Sequence, residues 1–405
     1  MTEVAVQFSG RRGWWMVGLV WLFSLSASIV QFKVPPIMPV LMDELHMSVG
    51  TAGSLMSVLN ITGVILAIPA GLIFKRFGYR AMGLLAVGSL ILGSAMGGFS
   101  TGPGLMMLSR VIEGIGAILM FVLGPAVLGT WFPPEKRGLP LGIWLTYIPV
   151  GSTIMMVTGA GIAASYGWRF LWWAGTVFAV LVAIMFLVAI RPAPALIAER
   201  NEESPASIQL VLRNRNLWLL SATFACFSGS TIAVLTWMPT FLNTVRHIPL
   251  QVASPMVGLM MLINIVSCPG AGLLSDKLGS RKGLFLTGIA AFGILCPLMV
   301  WLPQSAFLLI ITAVGLITGL VPSPIVQAAV ESVDDPRLAG MATGVVFAGT
   351  NLGMLIGPVA FGAIVQGARS WSAAFVAAAL FSFLGLLIGV FVKRRTPAGG
   401  CLESC

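Results

Sequence analysis

Three charged side chains lie well inside long apolar stretches of this 405-residue sequence: Lys33, Arg110 and Glu113. A charge in hydrocarbon costs several kcal/mol unless it is paired or faces a cavity. A buried cation in such a place binds anions or carboxylates, and a buried carboxylate can take up and release a proton. These three residues are therefore the first candidates for chemistry in the chain.

Arg110 and Glu113 are three residues apart, so on a helix their side chains share one face. One interpretation makes Glu113 a proton-coupling carboxylate whose protonation responds to Arg110 and to burial. The other, which the spacing favours, is a structural ion pair that braces neighbouring helices.

Lys33 stands about 20 residues into the first apolar stretch, between Gln31 and the pair Pro35–Pro36. It is a candidate for an anion-binding cation on a cavity face, with Gln31 beside it and the prolines loosening the helix end. Alternatively, the lysine stem follows the apolar helix and its ammonium group reaches the outer lipid headgroups. The sequence leaves both alternatives open.

Neutral polar and aromatic side chains in the apolar stretches complete a candidate substrate cavity, since amides and aromatic rings orient small molecules in mostly apolar pockets. Each of them alone is also typical of a helix–helix hydrogen bond, and Trp237 is compatible with packing against lipid. The candidates are Asn60, Trp144, Tyr147, Trp237, Asn264, Gln327 and Asn351.

The composition requires lipid as the main solvent. Apolar residues make up 58% of the chain and charged residues 9%, against about 25% charged residues in a soluble domain. The net charge of +10 comes from small basic clusters between apolar runs, which argues against nucleic-acid binding. Phosphate-loop, zinc-protease and zinc-cluster spacings are missing from the sequence, so we expect neither an enzyme, a metal nor a cofactor.

Runs of roughly 20 apolar residues without alternation predict an all-α membrane protein with twelve transmembrane helices, here called spans 1 to 12. The most polar segment, 191–215, is the predicted linker between a first half (1–190) and a second half (216–405). The predicted spans are 14–37, 50–74, 81–100, 104–131, 138–164, 169–190, 216–243, 251–274, 283–302, 305–330, 338–366 and 371–392.

Lysine and arginine set the predicted orientation, because cytoplasmic loops carry an excess of both. With the amino terminus inside, 18 of the 23 basic residues fall in inner segments and three in outer ones. We therefore expect a multi-pass protein of the inner membrane with both termini cytoplasmic. Inner and outer are used below in this predicted sense.

A short motif occurs twice, 201 residues apart, after span 2 and after span 8. The second glycine of each copy permits a tight turn, and the basic residues suit helix ends. The offset predicts two similar bundles joined head to tail. Gly71, Arg76, Gly78 and Arg80 recur as Gly272, Lys277, Gly279 and Arg281.

This motif resembles the cytoplasmic loop motif of the major facilitator superfamily, G-x-x-x-D-[RK]-x-G-[RK]-[RK]. The second copy has the family aspartate as Asp276, whereas the first has Lys75 there. In span 4, the run from Arg110 through Glu113 to Ala117 resembles the family pattern R-x-x-[QE]-G-x-G-A.

The resemblance covers the whole chain and implies two pseudo-symmetric six-helix bundles around a central cavity that opens alternately to each side. It also implies a small-molecule substrate, and we expect a monomer. The family's antiporter motif in span 5 is missing, which argues against a proton-driven drug exporter. The expected activity is transport of a small organic anion, with proton symport as the first coupling hypothesis. Efflux of amphipathic drugs and a non-transporting sensor are the alternatives.

Acidic residues after span 10 suggest a latch on the inner side. Glu331, Asp334 and Asp335 lie close together in sequence, and helix capping in a solvated loop is one explanation. Since Lys75 replaces the family carboxylate and needs an acidic partner, we predict instead a latch from this cluster to Lys75 or Arg80 of the first half.

Overall fold

Long apolar helices make up nearly all of the part of the chain that the computed structural model describes, which is residues 11–132, 136, 138–189, 205–333 and 338–393. Twelve segments of these residues are long and apolar enough to cross a membrane. The twelve predicted spans and the all-α fold are therefore confirmed. The predicted linker falls mostly on 190–204, outside the described residues.

The first half contains spans 1 to 6, with spans 2 and 3 joined through a kink at Gly78. Its helices are Arg11–Phe32, Met38–Glu44, Val49–Gly98, Pro103–Trp131, Gly138–Leu145, Tyr147–Tyr166 and Arg169–Ala189. The short helix Pro205–Leu212 precedes span 7. The second half has Arg215–Thr244, Leu250–Leu278, Arg281–Trp301, Phe307–Gly319, Pro322–Glu331, Ala339–Ala368 and Trp371–Val390.

Proline accounts for the interruption of span 1, because it has no N–H and its ring clashes with the preceding turn. The first helix ends at Phe32, a 3-10 turn follows at Pro35–Ile37, and a second helix runs to Glu44. The prediction that this span ends at residue 37 is therefore wrong, although the prolines do loosen the helix as predicted. Span 10 is interrupted in the same way before Pro322.

The two halves repeat the same unusual backbone conformations. Residues with positive φ occur in three pairs, one member in each half. The values are 50° at His46 and 56° at His247, then 75° at Gly78 and 59° at Gly279. The third pair is Gly167 at 78° and Arg369 at 49°. Members of a pair are 201, 201 and 202 residues apart. Since L-residues rarely adopt positive φ, matching positions indicate that each half follows the same path. Gly78 and Gly279 confirm the predicted tight turns.

Spans 7 and 11 pack backbone against backbone within the second half. Three glycines of span 11, four residues apart, face span 7 so closely that a Cβ on any of them would overlap a span 7 carbonyl oxygen. Small residues allow this approach between membrane helices, and hydroxyl groups add bonds across it. Ser221 Oγ, for example, donates to the Val345 carbonyl at 2.8 Å. The glycines are Gly349, Gly353 and Gly357, and their partners are Ser221, Ala225 and Gly229.

Close contacts also join the two halves at their outer ends. A Cβ on Gly53 of span 2 would lie 2.6 Å from the Pro358 carbonyl oxygen of span 11, and one on Gly362 would lie 2.8 Å from that of Val49. Ser254 Oγ of span 8 donates to the Pro36 carbonyl at 3.2 Å. These contacts form what we call the outer junction, between spans 1 and 2 of the first half and spans 8 and 11 of the second.

Candidate functional site

The carboxylate of Glu113 lies between two cations. Lys33 Nζ is 2.7 Å from Oε1 and Arg110 Nη1 is 2.5 Å from Oε2. The predicted pairing of Arg110 with Glu113 is thus present, and Lys33 adds a third member from span 1. We call Lys33, Arg110 and Glu113 the buried triad.

The proline break in span 1 explains how Arg110 is held. Pro35 has no N–H to donate to the carbonyl of Gln31, four residues earlier, so this carbonyl lacks its helical partner. Arg110 Nη2 donates to it at 3.0 Å, and Nη1 donates to the Val30 carbonyl at 2.8 Å. Arg110 Nε donates to the Leu55 carbonyl of span 2 at 3.1 Å. The guanidinium group therefore joins spans 1, 2 and 4.

Lys33 has partners on spans 3 and 6 in addition to Glu113. Its ammonium donates to Ser94 Oγ at 2.9 Å and lies 4.3 Å from the centre of the Trp172 ring, a cation–π contact. Ser94 Oγ in turn donates to the Trp172 carbonyl at 2.9 Å. Sequence analysis missed Ser94 and Trp172, because nothing in their local sequence connects them to a lysine on another span.

Glycines of span 3 make room for this cluster. A Cβ on Gly93 would lie 2.7 Å from Glu113 Cγ and 2.8 Å from the Ser109 carbonyl oxygen. One on Gly97 would overlap the Trp172 indole. The spacing of four residues between these glycines is a sequence signal for close helix packing, though it does not reveal which side chains pack there.

All three members of the triad have 0% of their surface exposed. The alternative in which Lys33 reaches the outer headgroups is therefore wrong. In its ionised form the triad has two positive charges and one negative charge. Glu113 is the sole acidic residue within the apolar stretches of the first half, so this half carries one uncompensated positive charge in its interior.

Two aromatic candidates are packed inside the protein. Trp237 is fully buried, donates from Nε1 to the Pro358 carbonyl at 2.9 Å and contacts Phe361 and Trp371. It does not pack against lipid, which corrects that alternative. Trp144 is 1% exposed and donates to Ser24 Oγ at 2.9 Å. Both indoles are used in packing.

Two amide candidates form the helix–helix bonds that were their alternative explanation. Asn264 Nδ2 donates to Thr318 Oγ1 at 2.8 Å and to the Gly315 carbonyl at 3.2 Å, which joins spans 8 and 10. Gln327 Oε1 accepts from Ser275 Oγ at 3.2 Å. Both amides therefore take part in hydrogen bonds between helices of the second half.

The remaining candidates keep polar atoms available. Tyr147 has no hydrogen-bond partner among the described residues and is 5% exposed. Gln31 is partly exposed, and no side-chain bond to it is found in the described chain. Asn60 and Asn351 each donate to a carbonyl of their own helix, at 2.9 and 3.1 Å, which leaves their amide oxygens as acceptors.

Asn60 and Asn351 belong to opposite halves and approach the same seam. A Cβ on Gly63, one turn after Asn60, would lie 3.0 Å from Asn351 Oδ1. Deeper toward the inner side, Phe121 of span 4 and Phe347 of span 11 have ring centres 5.3 Å apart. Spans 2 and 4 of the first half therefore both contact span 11 of the second half, on the inner side of the outer junction.

The repeated inner motif is described only in part. Arg281 Nε donates to Glu331 at 3.0 Å and Nη1 donates to Ser275 Oγ at 2.7 Å. This pairing lies within the second half. The latch to Lys75 or Arg80 stays a prediction, because the side chain of Lys75 and residues Asp334 and Asp335 lie outside the part of the chain that the structure describes. Six predicted members lie outside the described side chains or residues: Gly71, Lys75, Arg76, Asp276, Asp334 and Asp335.

Comparison with known proteins agrees with this architecture. The sequence profile of the Major Facilitator Superfamily matches residues 19–344 and 269–402. The chain belongs to the major facilitator superfamily. It is therefore a multi-pass secondary transporter and not an enzyme.

The relatives of this transporter are named for different transported compounds. It is 22% identical to the hexuronate transporter of Bacillus subtilis over 89% of this chain and 90% of that protein. It is 22% identical to a probable sulfoacetate transporter of Cupriavidus necator over 93% of each chain. It is 25% identical to the nitrite extrusion protein of Bacillus subtilis over 87% and 88%.

The fold is shared with a solved transporter. A bacterial homolog of the human lysosomal transporter Spinster, in an inward-facing and unoccupied conformation, superimposes with a TM-score of 0.82. The match covers 96% of this chain and all of that one at 15% sequence identity. At this identity the likeness establishes the fold alone.

Proposed function

We propose that this protein transports a small organic anion across the inner membrane by alternating access, with both termini cytoplasmic. The observation that carries the proposal is the uncompensated positive charge of the buried triad. It lies next to Gln31, whose carbonyl is a ligand of Arg110. The names of the relatives, which include hexuronate and sulfoacetate transporters, support an anionic substrate.

The triad acts on the anion through space, since its members are enclosed. At an effective dielectric constant of about 20, one unit charge attracts another about 10 Å away by roughly 1.7 kcal/mol, which is more than tenfold in affinity. Direct contacts come from neutral groups of both halves, Gln31, Asn60 and Tyr147 on one side and Asn351 on the other. Such groups orient a small solute without a second fixed charge.

Removing the ammonium group tests this proposal. In proteoliposomes containing Lys33→Met, we expect the KM for glucuronate or sulfoacetate at neutral pH to rise about tenfold, because the attraction from the first half is lost. Uptake of radiolabelled probe anion is the measurement. Arg169→Gln is the matched control, since it removes a cation that pairs with Glu44 at the outer surface.

Equal KM values for Lys33→Met and the native protein would exclude the anion proposal. Export of cationic dyes by the native protein, unchanged in Lys33→Met, would favour the drug-efflux alternative. Ligand-dependent stabilisation without any flux would favour the sensor alternative.

A wedge in the outer junction tests alternating access. We expect Gly53→Leu to shift the protein toward an outward-open state, because its side chain cannot fit against the Pro358 carbonyl. The shift is measured as alkylation of a cysteine introduced at Met156, which faces Gly258 of the other half. A membrane-impermeant maleimide added from outside should label Gly53→Leu several-fold faster than the native junction.

Gly88→Leu is the control for this wedge, since a Cβ there meets nothing within 4 Å. Equal labelling rates in Gly53→Leu and Gly88→Leu would show that the outer junction does not open in transport.

A further inference from the structure

We propose that Lys33 takes the place of a transported proton: it keeps Glu113 ionised throughout the transport cycle, so that anion movement does not depend on proton flow through this carboxyl. This argues against the interpretation in which Glu113 is the proton-coupling group. The inference rests on the proposed anion transport only for its uptake experiment.

The hydrogen-bond chemistry around Glu113 suits the ionised form. Both carboxylate oxygens accept from cationic donors, Oε1 from Lys33 and Oε2 from Arg110. A protonated carboxyl has an O–H that needs an acceptor, and ammonium and guanidinium groups offer none. Protonation would therefore break one of these bonds and leave a buried O–H facing a donor.

The charges around Glu113 also favour its ionised form. Span 1 contributes Lys33 and span 4 contributes Arg110, while spans 3 and 6 contribute the neutral Ser94 and Trp172. Span 2 contributes the Leu55 carbonyl, which binds Arg110. No second acidic side chain pairs with Lys33 or Arg110 in the described part of the chain. A proton on Glu113 would leave two enclosed cations without a counter-charge.

The location of the triad also separates it from the transport motion. Spans 1, 2, 3, 4 and 6, which supply all these groups, belong to the first half, so movement of one half against the other does not need to break the cluster. A proton carrier must exchange with water on each side in turn, whereas Lys33, Arg110 and Glu113 are fully enclosed.

Because the ammonium group belongs to the Lys33 side chain, a substitution can remove it, and the resulting variant tests the proposal. In Lys33→Met the triad contains one cation and one carboxylate, and its net charge is zero. A proton on Glu113 then restores the single positive charge that the native triad has in its ionised form. The variant should therefore acquire a dependence on protons that the native protein does not have.

Uptake measurements in proteoliposomes test this consequence. With glucuronate and sulfoacetate as probes, we expect native uptake to be unchanged by an inward proton gradient or by mildly acidic pH. Uptake by Lys33→Met should rise by up to about tenfold per pH unit on acidification, the slope for binding one proton. Lys33→Arg, which keeps the charge, should not acquire this dependence of uptake on pH.

Infrared spectroscopy of the purified protein provides a test that needs no substrate. On acidification, the absorption band of a protonated carboxyl group should appear in Lys33→Met and not in the native protein. A shift of this band when Glu113→Asp is added to Lys33→Met would assign it to residue 113. Such a band in the native protein, or native uptake that follows the proton gradient, would overturn the inference. If the native protein moves neither probe anion, the proposed substrate class fails, and the infrared result still decides the state of Glu113.

Discussion

Glu113→Gln is expected to lower the free energy of unfolding by about 3–5 kcal/mol, because Glu113 is the only counter-charge that the described residues provide to two enclosed cations. Lys33 and Arg110 would lose partners at 2.7 and 2.5 Å, and the new amide would direct N–H donors at one of them. The measurement is a denaturation titration of the protein in mixed micelles, followed by tryptophan fluorescence.

Two further variants separate the charge effect from packing. Lys33→Met retains the Arg110–Glu113 pair, in which the opposite charges cancel. We therefore expect a much smaller loss of unfolding free energy than in Glu113→Gln. The double variant Lys33→Met/Glu113→Gln has one unpaired cation in place of two and should recover part of the stability. A double variant less stable than Glu113→Gln alone would contradict the charge explanation.

Gly353→Leu is expected to prevent the second half from packing, because its Cβ alone would overlap the Ala225 carbonyl oxygen. Overpacking in a close-packed interior typically costs about 1–3 kcal/mol of folding free energy, and occasionally more. Here the obstacle is the backbone of span 7, on the same seam as Gly349 and Gly357. We expect a large loss of folded, monodisperse protein in detergent, measured by size-exclusion chromatography.

Span 11 offers a matched control for that substitution. Gly344→Leu places the same side chain on the same helix, nine residues earlier, where a Cβ meets nothing within 4 Å. It should give folded protein in near-native yield. Equal losses in both variants would mean that helix propensity or membrane insertion, and not the seam with span 7, limits folding.

The first-half motif illustrates where local sequence is sufficient. The 201-residue repeat predicts equivalent tight turns at Gly78 and Gly279, and both residues adopt a positive φ. A glycine at such a turn is a local requirement, independent of which helices later pack there. The function of the basic residues in these loops depends on partners, and for Glu331 the partner is Arg281 of its own half.

The polar candidates show the limit of pattern analysis. Asn264 and Asn351 are indistinguishable by sequence, each an amide within an apolar span. Asn264 bonds across to span 10, whereas Asn351 bonds to a carbonyl of its own helix and lies at the seam between the halves. The difference depends on how far each helix is rotated about its axis, and that rotation follows from packing against several neighbours.

By itself, the sequence determined the solvent, the number of spans, the duplication and the expected orientation, because hydropathy, repeat offset and charge bias are properties of composition along the chain. It also identified Lys33, Arg110 and Glu113, since any charge in hydrocarbon requires a partner. Only the tertiary structure decided that all three share one cluster, since Lys33 and Glu113 are 80 residues apart. Their pairing depends on the proline break in span 1 and on the glycines of span 3, which together bring five helices close enough to enclose the charges.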